Sequence, residues 1–232
     1  MTMSKGYIYS DQTSLFGTRE IIGFGDDVFR ISEIERDKAN DVIVNNHYSG
    51  KFYNATYIHL GVWMYDELVG VLQFGYAMNP ASCGGVVTGT EMDQYLELNR
   101  MWLSDTAPRN SESKALSYAI RYIRGKFRRV KWIQSFADER CGGFGIVYQA
   151  ANFDYYGEHT STFWTVDGQV YHNSLMTRDP KLSKSAAFIQ ANKDRATNEE
   201  LRQFRYIYWI DHSWKSRCTL KAQKAPKHYR NG

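Results

Sequence analysis

The segment Pro108-Arg109-Asn110-Ser111-Glu112-Ser113 places a guanidinium and small capping residues just ahead of Ala115, Leu116, Ala119, Ile120 and Ile123, which recur at helical spacing. A helix N-terminus offers unpaired backbone N–H groups and the positive end of its dipole. Arg109, Asn110, Ser111 and Ser113 are therefore candidates to hold a phosphate or pyrophosphate, ordinary helix capping being the alternative. Positive charge is also gathered rather than spread. Residues 113–137 contain no acid and hold Lys114, Arg121, Arg124, Lys126, Arg128, Arg129 and Lys131, and residues 212–232 repeat the pattern with Lys215, Arg217, Lys221, Lys224, Lys227 and Arg230. Without those six tail cations the 29 basic residues become 23 against 25 acidic, so the body is slightly acidic. Such runs suit DNA or RNA, with Arg121, Arg124, Arg128, Arg129, Lys131, Lys215 and Arg217 as candidate phosphate contacts; a solvated helix face and a plain basic tail are the alternative. Aromatic residues among them, Tyr122, Phe127, Trp214, His228 and Tyr229, either stack on bases or pack. Cys83, Cys141 and Cys218 are too scattered for a Cys-x-x-Cys zinc site and odd in number, which reads as reduced thiols.

The elements that must position these groups follow from the hydrophobic pattern. A chain of 232 residues, 43% hydrophobic and 23% charged, fits one α/β or α+β domain and excludes wholesale disorder or a fibre. No run approaches the roughly 18–20 apolar residues of a bilayer crossing, and the first residues lack the apolar core of a signal peptide, so a soluble intracellular protein is expected. A short strand at 29–31 leads to Ser32 and Glu35, a Ser-x-x-Glu capping box predicting a helix to about His47, with Ala39, Val42, Ile43 and Asn46 on one face. Alternation predicts strands at 57–65 and 68–76, a mobile Gly/Ser-rich loop at 79–90, and a strand at 95–103. After the helix come a strand at 130–136, a helix at 144–151, and a hairpin of 153–166 with 169–175 about Asp167-Gly168. Residues 184–192, a second capping box from Thr197 to Glu200, and a β-prone stretch at 205–211 complete the body.

This element order is that of a GNAT-type acyltransferase domain. Four segments sharpen the comparison: Asn45-Asn46-His47-Tyr48-Ser49-Gly50, Leu98-Asn99-Arg100-Met101-Trp102-Leu103, Pro108 to Ser113, and Ala137-Asp138-Glu139-Arg140-Cys141-Gly142-Gly143 followed by Tyr148. In this order they resemble the phage Mom family over residues 31–176. The resemblance implies a mixed α/β fold with a splayed central sheet flanked by helices: an N-terminal extension (1–28), a GNAT-like catalytic domain (29–176) and a C-terminal elaboration (177–232) packed on the same domain. It also implies an enzyme in the cytoplasm of the infected bacterial host, converting adenine in double-stranded phage DNA to its N6-carbamoylmethyl form and so blocking host restriction enzymes. The familiar Gln/Arg-x-x-Gly-x-Gly/Ala acyl-CoA pattern is missing, and Pro108 to Ser113 stands in its place.

The resemblance points to His47, Asp138 and Tyr148 as a site for iron, an imidazole, a carboxylate and a phenolate being suitable ligands. A helix C-cap, a salt-bridge partner and a core phenol are the structural alternatives. Without metal, His47 or Asp138 would accept a proton from the adenine amino group and Tyr148 would give one to a leaving group, while Arg100 orients an anionic donor or pairs with a carboxylate. Attack on an acetyl thioester would put a carbonyl carbon on N6, whereas carbamoylmethyl attaches through CH2. Either a redox metal activates the methyl carbon of an acetyl-CoA donor, or the donor is a glycine-derived unit. A paired adenine hides its N6, so the base is expected to flip, with Tyr48, Phe52 and Tyr65 as stacking candidates or core aromatics. The alternatives are an ordinary GNAT acetyltransferase acting on a protein or small-molecule amine, and a non-catalytic DNA-binding module.

Overall fold

The computed structural model describes residues 4–13, 17–141 and 143–227, with only the backbone of Cys141. Among them one mixed sheet runs in the order β1-β2-β3-β4-β5-β6-β7-β10-β8-β9. Its strands are β1 (Gly6–Thr13), β2 (Arg19–Gly25), β3 (Phe29–Glu33), β4 (Thr56–Met64), β5 (Glu67–Gly75), β6 (Tyr95–Leu103), β7 (Trp132–Asp138), β8 (Asp154–Val166), β9 (Gln169–His172) and β10 (Thr197–Trp209). Every neighbouring pair is antiparallel except β6 and β7, which pair in parallel over only Tyr95 with Trp132, Leu96 with Ile133 and Glu97 with Gln134. Beyond these contacts the two strands diverge, and the sheet opens into a V.

Helices flank both faces. On one, α3 (Ser111–Lys126) buries Ala115, Leu116, Ala119, Ile120 and Ile123 against Leu60, Leu72, Leu96 and Ile133. On the other, α1 (Arg36–Asn46) sets Ala39 and Ile43 on Val71 beside Trp102. The short helix α4 (Ile146–Ala150) follows β7, and α5 (Ser174–Thr177) and α6 (Lys184–Ala191) lead from β9 to β10. No helix among the described residues is long and apolar enough to cross a membrane.

Both expected capping boxes are corrected. Ser32 lies within β3, paired with Gly61 and Gly23, and α1 starts after Glu35 without a side-chain cap. Thr197 to Glu200 begin the long β10, opposite Thr165 to Thr162 of β8. Residues 79–90 pack: Pro80–Ser82 and α2 (Cys83–Val86) place Cys83 and Val87 in a second core with Tyr95, Trp132, Ile207, Trp209 and Trp214. At the N-terminus, β1 and β2 extend the sheet past β3. From the C-terminal segment, β10 is bonded between β7 and β8 in the same sheet.

Candidate active site

The V between β6 and β7 is a cavity of 730 Å³ whose wall includes His47, Tyr48, Arg100, Asp138 and Tyr148. Each side chain arrives from an element end: His47 caps α1, Asp138 closes β7, and Tyr148 stands on α4. Gly145 makes the last placement possible. It begins α4 with φ +78°, and a Cβ there would sit 2.4 Å from the Tyr206 ring. Next to this cavity, and sharing Leu103, Asp105, Glu112, Ile146 and Val147 with it, is one of 340 Å³ at the start of α3, lined by Arg109, Asn110, Ser111 and Ser113. Asn110 takes the left-handed conformation (φ 68°) and no side chain caps the helix, so its first turn faces the cavity without a side-chain acceptor. Two carboxylates, Asp105 and Glu112, share the space; burial and then Asp105 raise the Glu112 pKa.

The electrostatics sort the expected roles. Burial first, then Arg100 and Arg140, lower the His47 pKa to about 4, so this imidazole is neutral across the physiological range. Its Nδ1 accepts the Ser49 backbone N–H at 3.2 Å, which leaves the proton of the neutral ring on Nε2. Asp138, 7% exposed, accepts from Arg140 on both oxygens, with Nε at 3.0 Å, and from the Arg140 backbone N–H. The Tyr48 hydroxyl reaches Asp138 Oδ2 at 3.5 Å. Arg100 donates from Nε to the Lys51 carbonyl and from Nη1 to the Asn99 carbonyl, which ties the 47–53 loop to β6.

The side chains are not gathered as a ready iron site. The Asp138 oxygens hold Arg140, and His47 Nδ1 faces Ser49, whose hydroxyl is 2.9 Å away. Among the described residues no three His, Cys, Asp or Glu side chains gather as metal ligands.

The stacking candidates separate. Tyr48 is 56% exposed at the rim of this cavity, its ring 4.3 Å from that of His47 and below the Arg140 guanidinium. Phe52 is exposed on the 47–53 loop and Tyr65 (φ 53°) lies at the β4–β5 turn, both outside the cavity wall. The basic run is acid-free only along the chain. In space Lys126 meets Glu20 and Glu33, Arg129 meets Glu91 and Asp93, and Lys131 meets Asp211. Arg121 lies over Phe24, and Arg124 donates to the Tyr208 hydroxyl. Arg128 lines a separate recess with Lys131 and His212. Residues 126–131 lie at the start of β7 and Asp138 at its end, so about 20 Å of strand separates them. In the tail Lys215 pairs with Asp154, and Arg217 covers the buried Trp214. Tyr122 and Phe127 pack in the core; Gly142, His228, Tyr229 and Arg230 lie outside the described residues.

A model of the Mom protein family matches residues 28–227. Over 205 residues the chain is 46% identical to methylcarbamoylase mom of Escherichia phage Mu, covering 88% of this chain and 85% of the relative. The chain belongs to the Mom family. Solved structures similar to it include an N-acetyltransferase from Staphylococcus aureus Mu50 (13% identity, 79% of this chain and 99% of that one, TM-score 0.47) and the ribosomal-protein-S5-alanine acetyltransferase from Vibrio fischeri (9%, 82% and 97%, TM-score 0.48). The four segments singled out in the sequence fall within the Mom match and, as far as they are described, at the cleft. Sequence reasoning missed Glu97, Gln134, Arg140 and Arg205. The available signal was a carboxylate and an amide, Glu97 and Gln134, inside otherwise apolar strands, where an unpaired polar group is costly.

Proposed function

We propose that this Mom-family transferase attaches a carbamoylmethyl group to N6 of adenine in double-stranded phage DNA, giving N6-carbamoylmethyladenine and shielding the DNA from host restriction enzymes. The observation that carries the reading is the convergence of His47, Arg100, Asp138 and Tyr148 on one cavity, in a chain 46% identical to a methylcarbamoylase. The uncapped start of α3 suits the phosphates of an acyl-CoA-type carrier, whose arm would run through the adjoining cavity to the V.

The product requires N6 to bond to the methylene carbon while the bond from that carbon to its leaving group breaks. The leaving group departs with the electron pair, and N6 gives up one proton. Since His47 carries its proton on Nε2, Asp138 is the better acceptor, held in place by Arg140, and His47 donates a hydrogen bond. Tyr148 protonates the leaving group, and Arg100 orients the anionic part of the donor. An iron held by His47, Asp138 and Tyr148 would need Asp138 to release Arg140, and the step above uses side chains alone. The donor that balances is one whose methylene carbon carries both the amide and the bond to the leaving group.

Expression with a plasmid in iron-replete medium, followed by digestion of the DNA to nucleosides and mass spectrometry, tests this. A deoxyadenosine heavier by one carbamoylmethyl group is expected, lost in Asp138→Asn and Tyr148→Phe. Unmodified adenine with folded protein overturns the reading. Acetyl transfer to a free amine without DNA would mark an ordinary acetyltransferase, and full effect in both variants a binding module.

A further inference from the structure

A second cavity, of 360 Å³, opens on the α1 face of the sheet and meets the first at Tyr48, Leu98, Asn99, Arg100, Phe136 and Asp138. It falls within the roughly 300–1,000 Å³ of small-molecule sites. Its floor is a chain of polar side chains. Arg205 Nη1 donates to Gln134 Oε1 (3.0 Å), Gln134 Nε2 donates to Glu97 Oε2 (2.7 Å), and Asn99 Nδ2 donates both to Glu97 Oε1 (3.1 Å) and to the Tyr76 carbonyl (3.1 Å). These two acceptors fix the Asn99 amide, because turning it over would bring its oxygen against two other oxygens. The remaining atom, Asn99 Oδ1, is buried and has no hydrogen-bond partner.

The backbone explains why it stands there. Opposite Phe74 and Gln73 of β5, strand β6 supplies Leu98 and Arg100, so Asn99 is an extra residue in a β-bulge. A bulge re-aims a side chain at the cost of ladder pairing, and bulges are frequent beside active sites. A buried acceptor left unmade costs about 1–3 kcal/mol; Asn99 lines the cavity, and a small turn of its side chain toward it would bring Oδ1 within reach of a ligand N–H that removes this cost.

We propose that this cavity is the pocket for the extruded acceptor base, and that Asn99 Oδ1 selects adenine by accepting a hydrogen bond from its 6-amino group. The inference rests on the adenine-modifying reading above and adds where the base sits and what reads it. The base enters from the α1 face while the donor comes from the α3 side, and they meet where the cavities join, beside Asp138. Tyr53 and Phe136 offer ring surfaces in the wall. Glu97 and Gln134 act as positioning residues through Asn99.

The test compares binding of the intact protein to a short oligodeoxyadenylate and to the same oligomer built of purine deoxynucleotides lacking the 6-amino group. Wild type should prefer the amino form about tenfold. Asn99→Leu should lose that preference. The wild-type comparison does not depend on how the variant folds. Equal wild-type binding of the two oligomers overturns the proposal, even if plasmid adenine is modified. Oligodeoxycytidylate bound as well as oligodeoxyadenylate overturns the purine assignment. Loss of plasmid modification with the amino preference intact would instead count against the proposed reaction, so the two readings fail separately.

Discussion

At the scale of single residues, the site depends on groups whose charge is set by burial. His47 is the plainest case, and its linkage to pH has a definite sign. Its pKa is lowered from about 6.5 to about 4, so between those values the unfolded chain binds a proton that the folded chain does not. Stability therefore rises with pH across that window and falls as pH drops below about 6.5. Urea unfolding at several pH values between about 4 and 7 should show His47→Gln losing less stability than wild type on acidification; parallel curves would mean the ring is solvated in the fold. Nothing in the spacing of His47, Asp138 and Tyr148 along the chain brings them together, and only the family resemblance points to their roles. Arg140 was missed although it stands two residues from Asp138, since a pair so close in sequence reads as an ordinary loop until its guanidinium is seen closing on both oxygens.

At the scale of elements, legibility followed periodicity. The strand expected at 95–103 is β6, and the hairpin about Asp167-Gly168 has both turn residues at positive φ, as the Asp-Gly signal demands. The capping boxes failed because Ser-x-x-Glu is as compatible with a strand as with a helix start, and pairing with Gly61 or Thr165 decided the matter. The bulge at Asn99 and the left-handed entries to α3 and α4 leave no periodic trace, yet they aim the functional groups. Gly145 gives the sharpest test. Gly145→Ala must either relax the φ of +78° or press a methyl group against Tyr206. A loss of about 1–3 kcal/mol in denaturant unfolding is expected, with a larger relative fall in adenine modification because α4 carries Tyr148. Unchanged stability and activity would show that α4 can be entered another way.

At the scale of the whole molecule, charge must be read in space. The acid-free run at 113–137 is the most nucleic-acid-like feature of the sequence, but acids from β2, β3 and two loops meet Lys126, Arg129 and Lys131, and about 20 Å of β7 lies between that end and Asp138. Near the base pocket the exposed cations are different ones. Lys51 joins the loop after α1 to the Val170 carbonyl of β9, and Arg178 acts on Tyr53 in the pocket wall. Duplex bound for insertion of a base on this face would lay its phosphates against these two, and each phosphate neutralised adds about 0.9 to the slope of log K against log salt. Replacing both by Gln should lower that slope by about 1–2, whereas Lys126→Gln with Arg129→Gln should leave it near the wild-type value because those cations already hold acids. Equilibrium binding of a short duplex across a salt series measures both slopes. The reverse result would put the duplex at the start of β7, too far from Asp138 for an extruded base to reach, and would require DNA to bind by a surface other than the one that performs the chemistry.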